Sequence, residues 1–138
     1  GSPLLEQCIA TELLDDMDGL LAHTRARLGA GRAAVRAGVA AHLPGVTMPE
    51  VPGGLAAWVD LGAPISTSLS LAAREHGLLL PPGPRFTATG VLDRFARIPI
   101  TWEPEVMDAA MERLGMAWRD LRAGSTPRAA AYEDRAVV

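Results

Sequence analysis

The feature that most constrains the fold is a long helical pattern near the N-terminus. Leu21, Leu28 and Val35 recur at seven-residue intervals, which places them on one face of an α-helix over about residues 17–43. The dipeptide Pro44-Gly45 ends this pattern. Because the chain has only 138 residues, a helix of this length is too long to serve only as part of one core. We therefore interpret it as a strut that joins one module to another.

A shorter helical pattern precedes the long helix. Its apolar stripe consists of Leu4, Leu5, Cys8, Ile9 and Leu13. The acidic residues of segment 15–18 indicate a break and a restart, since Asp favours the N-terminal end of a helix. Cys8 lies on the apolar side of this helix, so we expect its side chain to be small, hydrophobic and buried. It is the only cysteine, which excludes an internal disulfide and a Cys-based zinc site and agrees with a cytoplasmic location.

After the long helix the hydrophobic pattern changes from helical to alternating. Residues 55–61 alternate between two faces, which is typical of a strand, and residues 46–51 are predicted to pair with them as a short edge strand. Residues 78–80 and 95–100 are two further strand candidates, with Pro99 at the end of the second. These four segments predict a small, mostly antiparallel sheet.

Two more helices complete the predicted fold. Ser66 or Thr67 is expected to cap a helix that runs to His76, and Gly77 suits the left-handed backbone that ends it. The last helix is predicted to begin at Pro104. Its apolar stripe is the clearest in the chain: Met107, Met111, Leu114, Trp118 and Leu121. The order of elements predicts an α+β domain, in which helices cover a small sheet and a long N-terminal helix leads into it.

The composition excludes several classes of function. The chain has 16 acidic and 13 basic residues and a net charge of −3, so no global positive field attracts nucleic acid. No apolar run approaches the roughly 18–20 residues of a membrane helix. All 13 basic residues are arginine, and lysine is absent. No side-chain amine can therefore form a Schiff base with pyridoxal phosphate or a carbonyl substrate.

Most of the remaining polar groups have structural explanations. The only histidines, His23, His42 and His76, do not fall at metal-ligand spacing, so we predict no metal site. The hydroxyl cluster at residues 66–70 is explained by helix capping rather than by an activated nucleophile. Four arginines of the long helix are interpreted as a solvated face, or as a face that meets another acidic module: Arg25, Arg27, Arg32 and Arg36.

Arg97 is the polar residue that the pattern does not explain. It lies inside the apolar strand candidate 95–100, where an unpaired guanidinium would be costly to bury. Its planar fork suits bidentate recognition of a carboxylate, as part of a ligand site. The alternatives are an internal salt bridge and an edge-strand arginine that reaches solvent, and the pattern alone favours these over a ligand site. The residues alone leave these alternatives open.

Three motifs, in order, resemble a known family. They are residues 52–61 (PGGLAAWVDL), residues 73–86 (AREHGLLLPPGPRF) and residues 95–100 (FARIPI) before Pro104. Together they are similar to the small C-terminal domain of class I/II aminotransferases, the fold-type I pyridoxal-phosphate enzymes. Residues 13–45 resemble the helices that join the large domain of these enzymes to the small one. Within the superfamily, the Trp58-Val-Asp-Leu and Arg-Ile-Pro forms look most like MocR-type regulators of the GntR family.

The resemblance implies a binding role for Arg97 and no catalytic residue in this chain. Arg97 matches the arginine that binds the α-carboxylate of the substrate or effector. Five residues would line the cleft beside it: Gly53, Gly54, Pro82, Gly83 and Phe86. In this family the cofactor lysine and the partner of the pyridine nitrogen belong to the large domain. Pyridoxal 5'-phosphate would therefore bind in the parent protein and not in this fragment alone, and the chain by itself should not catalyse transamination.

These expectations give a domain plan with two alternatives. Residues 1–2 look like a scar from an expression tag, residues 3–45 are expected to be connecting helices, residues 46–122 the aminotransferase-like small C-terminal domain and residues 123–138 a flexible tail. The parent would be a homodimeric, PLP-binding transcriptional regulator with no membrane contact. Its missing large domain would complete the site, and a separate N-terminal winged-helix domain would bind DNA. The alternatives are the small domain of a genuine aminotransferase and a freestanding domain that binds a protein partner.

Overall fold

The protein is described by a computed structural model that covers residues 3–124. The expectations for residues 1–2 and for nearly all of the tail 123–138 lie outside the described residues. Four helices, two strands and one 3₁₀ turn follow each other in this order: α1 (Leu4–Asp15), α2 (Met17–His42), β1 (Ala56–Asp60), α3 (Ser66–Glu75), the 3₁₀ turn (Gly83–Phe86), β2 (Phe95–Pro99) and α4 (Pro104–Arg122). The predicted α+β class is confirmed.

The sheet of the described region has two strands rather than four. β1 and β2 pair antiparallel, with Trp58 opposite Arg97. The predicted edge strand 46–51 is wrong. Only Thr47 pairs with β1, through two backbone hydrogen bonds of 3.0 and 2.8 Å with Asp60. Pro49 has no N–H with which to continue the ladder, so the pairing ends there.

The predicted strand 78–80 is also wrong. The Leu78 N–H donates to the Ala73 carbonyl at 3.0 Å, which folds this segment back on the end of α3. The Leu80 carbonyl accepts a hydrogen bond from the buried Ser70 hydroxyl at 2.5 Å. Because α3 satisfies these backbone groups, the segment has no need of a sheet partner. Gly77, at φ +69°, confirms the predicted left-handed end of the helix.

The core lies between the inner face of the sheet and helices α2, α3 and α4. Four of the five residues of the predicted α4 stripe are buried, and Leu121 is partly buried. The largest side chains with almost no exposure come from all of these elements and their connections: Val35, Leu43, Val59, Leu69, Ile100, Met111, Leu114 and Trp118. The C-terminal half of α2 therefore belongs to the core, and the helix is not only a strut.

Two glycines let α2 approach its neighbours closely. A Cβ on Gly31 would overlap the backbone carbonyl oxygen of Ile100, and a Cβ on Gly38 would lie 2.5 Å from the Cβ of Met111 in α4. Gly29, in contrast, faces open space. Glycine inside a helix costs about 1 kcal/mol relative to alanine. At Gly31 and Gly38 this cost is accompanied by close packing that no other residue allows.

Helix α1 packs differently from the expectation. It contacts α2 but has no buried residue, and Leu5 and Ile9 are 71% and 51% exposed. The expected burial of Cys8 is therefore wrong, because the described residues leave the apolar stripe of α1 uncovered. Among the described helices none has the length and apolar character needed to cross a membrane.

Candidate carboxylate-binding site

Arg97 lies at the centre of the outer face of the sheet. In β2 the side chains of Ala96 and Ile98 are buried on the inner face, and Arg97 between them is half-buried on the opposite face. Alternation along a strand therefore explains how a charged residue fits within an apolar segment. The cost of burying its charge, inferred from the apolar sequence around it, is reduced because Arg97 keeps part of its surface in contact with solvent.

An aromatic ring holds the Arg97 side chain. The Cζ atom of Arg97 lies 5.4 Å from the centroid of the Phe86 ring, which is within range of a cation–π interaction. The Phe86 ring in turn meets Trp58 edge to face, with centroids 5.5 Å apart and planes at 79°. Trp58 is the cross-strand partner of Arg97. These three residues form one stack on the outer face, which we call the Trp58–Phe86–Arg97 stack.

Arg97 has no carboxylate partner within residues 3–124. The ion pairs between arginines and acids in that range are Arg94 with Asp60 and Arg36 with Glu50, and His76 shares a hydrogen bond with Asp120. The internal salt bridge considered for Arg97 is therefore absent from the described residues. Its guanidinium lies over the Phe86 ring rather than beside an acid, and its N–H groups could donate to an external carboxylate.

The acid on the same face of β1, Asp60, is already paired with another arginine. Asp60 accepts two hydrogen bonds from Arg94, at 2.6 Å from Nε and 2.9 Å from Nη2, and one from the Gly62 N–H at 2.8 Å. The Arg94 hydrogen bond, and then that of Gly62, hold the pKa of Asp60 below its usual value. This bidentate pair keeps the Asp60 carboxylate at the end of the sheet, so it does not compete for Arg97.

The structure brings together some of the expected cleft residues. Phe86, 41% exposed, touches Arg97, and Pro82 forms a backbone bridge with Ala96 beside it. Gly83 is buried and packs against the backbone before β2, since a Cβ there would overlap the carbonyl oxygens of Leu92 and Phe95.

The loop that carries Gly53 and Gly54 has a different anchor. Arg32 of α2 donates hydrogen bonds to the carbonyls of Val51 and Gly54, at 2.6 and 3.5 Å. Gly54 has a φ of +107°, which a side chain would strain. The described contacts of this loop therefore lead to α2 and not to the Trp58–Phe86–Arg97 stack.

A shallow cavity adjoins the stack on the outer face. It has a volume of about 280 Å³ and is open to solvent, with a mostly apolar lining. Trp58 belongs to both the cavity and the stack. The other lining residues come from the segment before β1 and from the far end of the sheet: Thr47, Met48, Pro49, Asp60 and Phe95. The cavity therefore reaches Trp58, the cross-strand partner of Arg97, and places an apolar surface on the same side of the sheet.

The capping of α3 was predicted wrongly. Its start is bound by Asp93, a residue that the sequence did not single out. Ile65, not Ser66 or Thr67, occupies the N-cap position, and no side chain of the helix caps it. The carboxylate of Asp93 supplies the acceptor, since its Oδ1 takes hydrogen bonds from the Thr67 N–H at 2.8 Å and the Thr67 hydroxyl at 2.6 Å. The Thr67 hydroxyl, with further help from its N–H and from Ser66, lowers the pKa of Asp93 despite the opposing effect of burial. The only sequence signal was an acid just before a strand.

The histidines do not assemble a metal site in the described part of the chain. No three His, Cys, Asp or Glu side chains come together there in a way that could hold an ion. His76 instead pairs with Asp120 at 2.7 Å and joins α3 to α4.

Known proteins resemble this chain in structure. The chain matches no protein-family model and no curated protein sequence. It is similar to LysN, an alpha-aminoadipate aminotransferase from Thermus thermophilus solved with N-(5'-phosphopyridoxyl)-L-leucine, with a TM-score of 0.79 and 26% identity over 88% of this chain. It also shares its fold with cystalysin from Treponema denticola, which contains pyridoxal 5'-phosphate, with a TM-score of 0.64 and 19% identity over 79% of this chain. The chain spans only 32% and 28% of those two proteins. Its fold is therefore aminotransferase-like and corresponds to about a third of such a protein.

Proposed function

We propose that this chain is the carboxylate-recognising C-terminal domain of a larger, PLP-dependent, aminotransferase-like protein. Arg97 would bind the carboxylate of an amino-acid-like ligand. The observation that carries the proposal is a partly exposed guanidinium that lies over the Phe86 ring and has no acid partner among the described residues. A planar guanidinium in this setting can offer two parallel N–H donors to a carboxylate.

The class of ligand follows from the surroundings of Arg97 and from the LysN neighbour. LysN was solved with a phosphopyridoxyl adduct of leucine, which pairs a carboxylate with an apolar side chain. The cavity beside Trp58 offers an apolar surface of matching character. Gly53, Gly54, Pro82, Gly83 and Phe86 would border the same cleft once the rest of the parent is in place.

The residues of this chain do not fit pyridoxal phosphate itself. The 138 residues include no lysine, so no side chain can form a Schiff base with its aldehyde. The cofactor would therefore bind to residues of the parent outside this chain. The fragment alone would not catalyse transamination.

The exposed stripe of α1 supports the proposal that a further domain is missing. A freestanding interaction domain would leave no large apolar face bare, whereas Leu5 and Ile9 are more than half exposed here. In the proposed parent, residues 3–45 would connect the two domains and residues 46–122 would form the small domain. The missing large domain would cover this stripe.

The parent would be a MocR-type regulator of the GntR family. It would be a cytoplasmic homodimer whose amino-acid-like effector controls DNA binding by a separate N-terminal domain. The motifs around Trp58 and Arg97 support this subfamily.

A genuine aminotransferase is the second candidate, favoured by the likeness to LysN, itself an aminotransferase. The coding sequence upstream of Pro3 separates the two. A winged-helix segment followed by a lysine-bearing domain supports the regulator, and the lysine-bearing domain alone supports the enzyme.

Arg97→Ala in the full-length parent tests the binding role. Losing a bidentate, charge-assisted pair should weaken the affinity for L-leucine or a related amino acid by about 10- to 100-fold. The affinity can be followed by the change in absorbance of the bound cofactor. Arg25→Ala is the matched control, because Arg25 is an exposed arginine of α2 that takes no part in the Trp58–Phe86–Arg97 stack. An Arg97→Ala affinity equal to that of Arg25→Ala would refute the proposal.

A further inference from the structure

The turn that carries Phe86 is held by a buried hydroxyl group. Ser66 has no solvent exposure, and its Oγ accepts a hydrogen bond of 2.9 Å from the Gly83 N–H at the start of the 3₁₀ turn. Gly83 is itself buried, so solvent does not compete for this bond. Phe86 is the last residue of the same turn. The position of its ring therefore depends on how this turn is docked.

The same hydroxyl group reaches the segment before β2. Ser66 Oγ donates a hydrogen bond of 2.9 Å to Asp93 Oδ1, the oxygen that also accepts the two bonds from Thr67. The Ser66 N–H donates to the Asp93 carbonyl at 2.8 Å. Asp93 comes four residues before Arg97 in the chain, at the entry to its strand. One carboxylate oxygen thus fixes the start of α3 against the segment that leads to Arg97.

A continuous chain of hydrogen bonds therefore joins the two segments that carry the partners of the cation–π contact. It runs from the Gly83 N–H through the Ser66 hydroxyl to the Asp93 carboxylate. We propose that Ser66 and Asp93 are positioning residues for the Arg97 site, which keep Phe86 in place so that its ring holds the guanidinium ready for a carboxylate. This inference rests on the proposed function, because the site it serves is the one proposed for Arg97.

The physical benefit of such a chain is preorganisation. An arginine side chain on an exposed sheet face has many rotamers, and ordering them upon binding opposes affinity. The Phe86 ring limits these rotamers only while its turn stays docked against β2. Loosening the turn should therefore weaken carboxylate binding without removing any group that touches the ligand.

The experiment follows Arg97 directly by NMR in the 15N-labelled 138-residue chain. The Nε–Hε signal of Arg97, assigned by its loss in Arg97→Lys, reports the position of the guanidinium relative to the Phe86 ring. Its titration with 4-methylpentanoate, a carboxylate with a branched apolar chain, reports binding. Ser66→Ala should shift the signal and raise the Kd for 4-methylpentanoate about fivefold, the equivalent of one lost hydrogen bond.

Ser70→Ala is the matched control. Ser70 is also a buried serine of α3, but its hydroxyl binds the Leu80 carbonyl and not the Phe86 turn. Its loss removes a similar hydrogen bond from the same helix. It should leave the Arg97 signal and the Kd unchanged. Equal effects of Ser66→Ala and Ser70→Ala, or no effect of either, would overturn the positioning role.

Two further comparisons keep the test independent of one variant. Asp93→Asn retains an oxygen that can accept the Ser66 and Thr67 bonds, so it should keep the Arg97 signal near its wild-type position, whereas Asp93→Leu should move it. In a Phe86→Leu background, Ser66→Ala should change nothing further, since its path to Arg97 runs through the ring. Additive effects of the two substitutions would contradict the inference.

The outcomes separate this inference from the proposed function. If wild-type Arg97 responds to 4-methylpentanoate but Ser66→Ala and Asp93→Leu leave it unchanged, the positioning role fails and carboxylate binding stands. If Ser66→Ala moves the Arg97 signal but the wild-type signal does not respond to the carboxylate, the geometric link stands and carboxylate binding by the 138-residue chain alone fails.

Discussion

Two glycines in the interior of α2 should respond in opposite ways to the same substitution. A Cβ on Gly29 would meet no atom within 4 Å. A Cβ on Gly31 would overlap the Ile100 carbonyl oxygen and lie 3.1 Å from its carbon and 3.4 Å from the Trp102 carbonyl oxygen. All three obstacles are backbone atoms, so they cannot rotate away as the end of a side chain would. Arg27 further ties α2 to this segment with a hydrogen bond of 2.7 Å to the Thr101 carbonyl.

The size of the difference follows from two opposing contributions. Each Gly→Ala change in a helix interior gains about 1 kcal/mol from backbone propensity. At Gly31, forcing a methyl group against a backbone carbonyl costs about 1–3 kcal/mol or more, and the rigid obstacle favours the upper part of this range. Gly29→Ala should therefore raise the free energy of unfolding by about 1 kcal/mol, and Gly31→Ala should lower it by about 1–2 kcal/mol. The propensity contribution cancels in the comparison, which leaves a difference of about 2–3 kcal/mol for the overlap alone.

Urea unfolding followed by far-UV circular dichroism measures both values. The two midpoints should lie on opposite sides of that of the wild type, with similar slopes, since the same surface is exposed on unfolding. Free energies of unfolding for Gly29→Ala and Gly31→Ala that agree within about 0.5 kcal/mol would refute the reasoning. Such a result would mean that α2 does not approach the segment between β2 and α4.

Two further predictions concern Asp93 and helix α1. The hydrogen bonds to Asp93 hold its pKa below the ordinary 3.8, so the ionised carboxylate stabilises the fold. This stabilisation is fully present above pH 3.8 and is lost as the pH falls through the lower pKa of the folded state. Urea midpoints measured from neutral pH down to about pH 3 should fall less steeply in Asp93→Asn than in the wild type, and parallel curves would exclude this role. Ile9→Ser on the exposed face of α1 should change the free energy of unfolding by less than about 0.5 kcal/mol, whereas Val35→Ala in the core should lower it by about 2 kcal/mol. Equal losses in the same urea assay would show that α1 is covered.

The helices could be predicted because their signals are local. The sequence indicated a helix over about residues 17–43 and another from Pro104, and the structure has them at Met17–His42 and Pro104–Arg122. Apolar periodicity, a terminal Pro-Gly and a proline at the first helical position act within one or two turns. Such signals therefore do not depend on what the rest of the chain does.

The sheet could be predicted only in part, because its strands depend on distant partners. The strand candidate 78–80 has the right composition, but the Ser70 hydroxyl takes the Leu80 carbonyl. Pairing in the 46–51 segment stops after Thr47. At residues 78–80 the hydrogen bonds to α3 decide the outcome, and composition does not record them. At residues 46–51 Pro49 stops the ladder, but the sequence does not show where pairing would begin.

The candidate site shows the same division. Arg97 stood out as a charge within an apolar strand, and Phe86 was expected beside it only through the family resemblance. The chain from Gly83 through Ser66 to Asp93 joins residues that are 17 and 27 positions apart, and the Ser66 hydroxyl had a sufficient local explanation as a helix cap. Because helix capping already explained the Ser66 hydroxyl, nothing in the sequence indicated its bonds to Gly83 and Asp93.

The two faces of the sheet place different demands on whatever covers them. The inner face, with Ala57 and Val59, needs only apolar side chains, and the helices supply these. The outer face presents Arg97, whose guanidinium would lose its solvation if a protein surface closed over it without an acceptor. A covering domain must therefore either bring its own acid or leave an opening through which the carboxylate of a ligand can enter. In the second case, the docking of the domain and the binding of the ligand depend on the same guanidinium. Without the ligand, docking would leave the Arg97 charge desolvated and unpaired, and the ligand carboxylate would supply the missing partner.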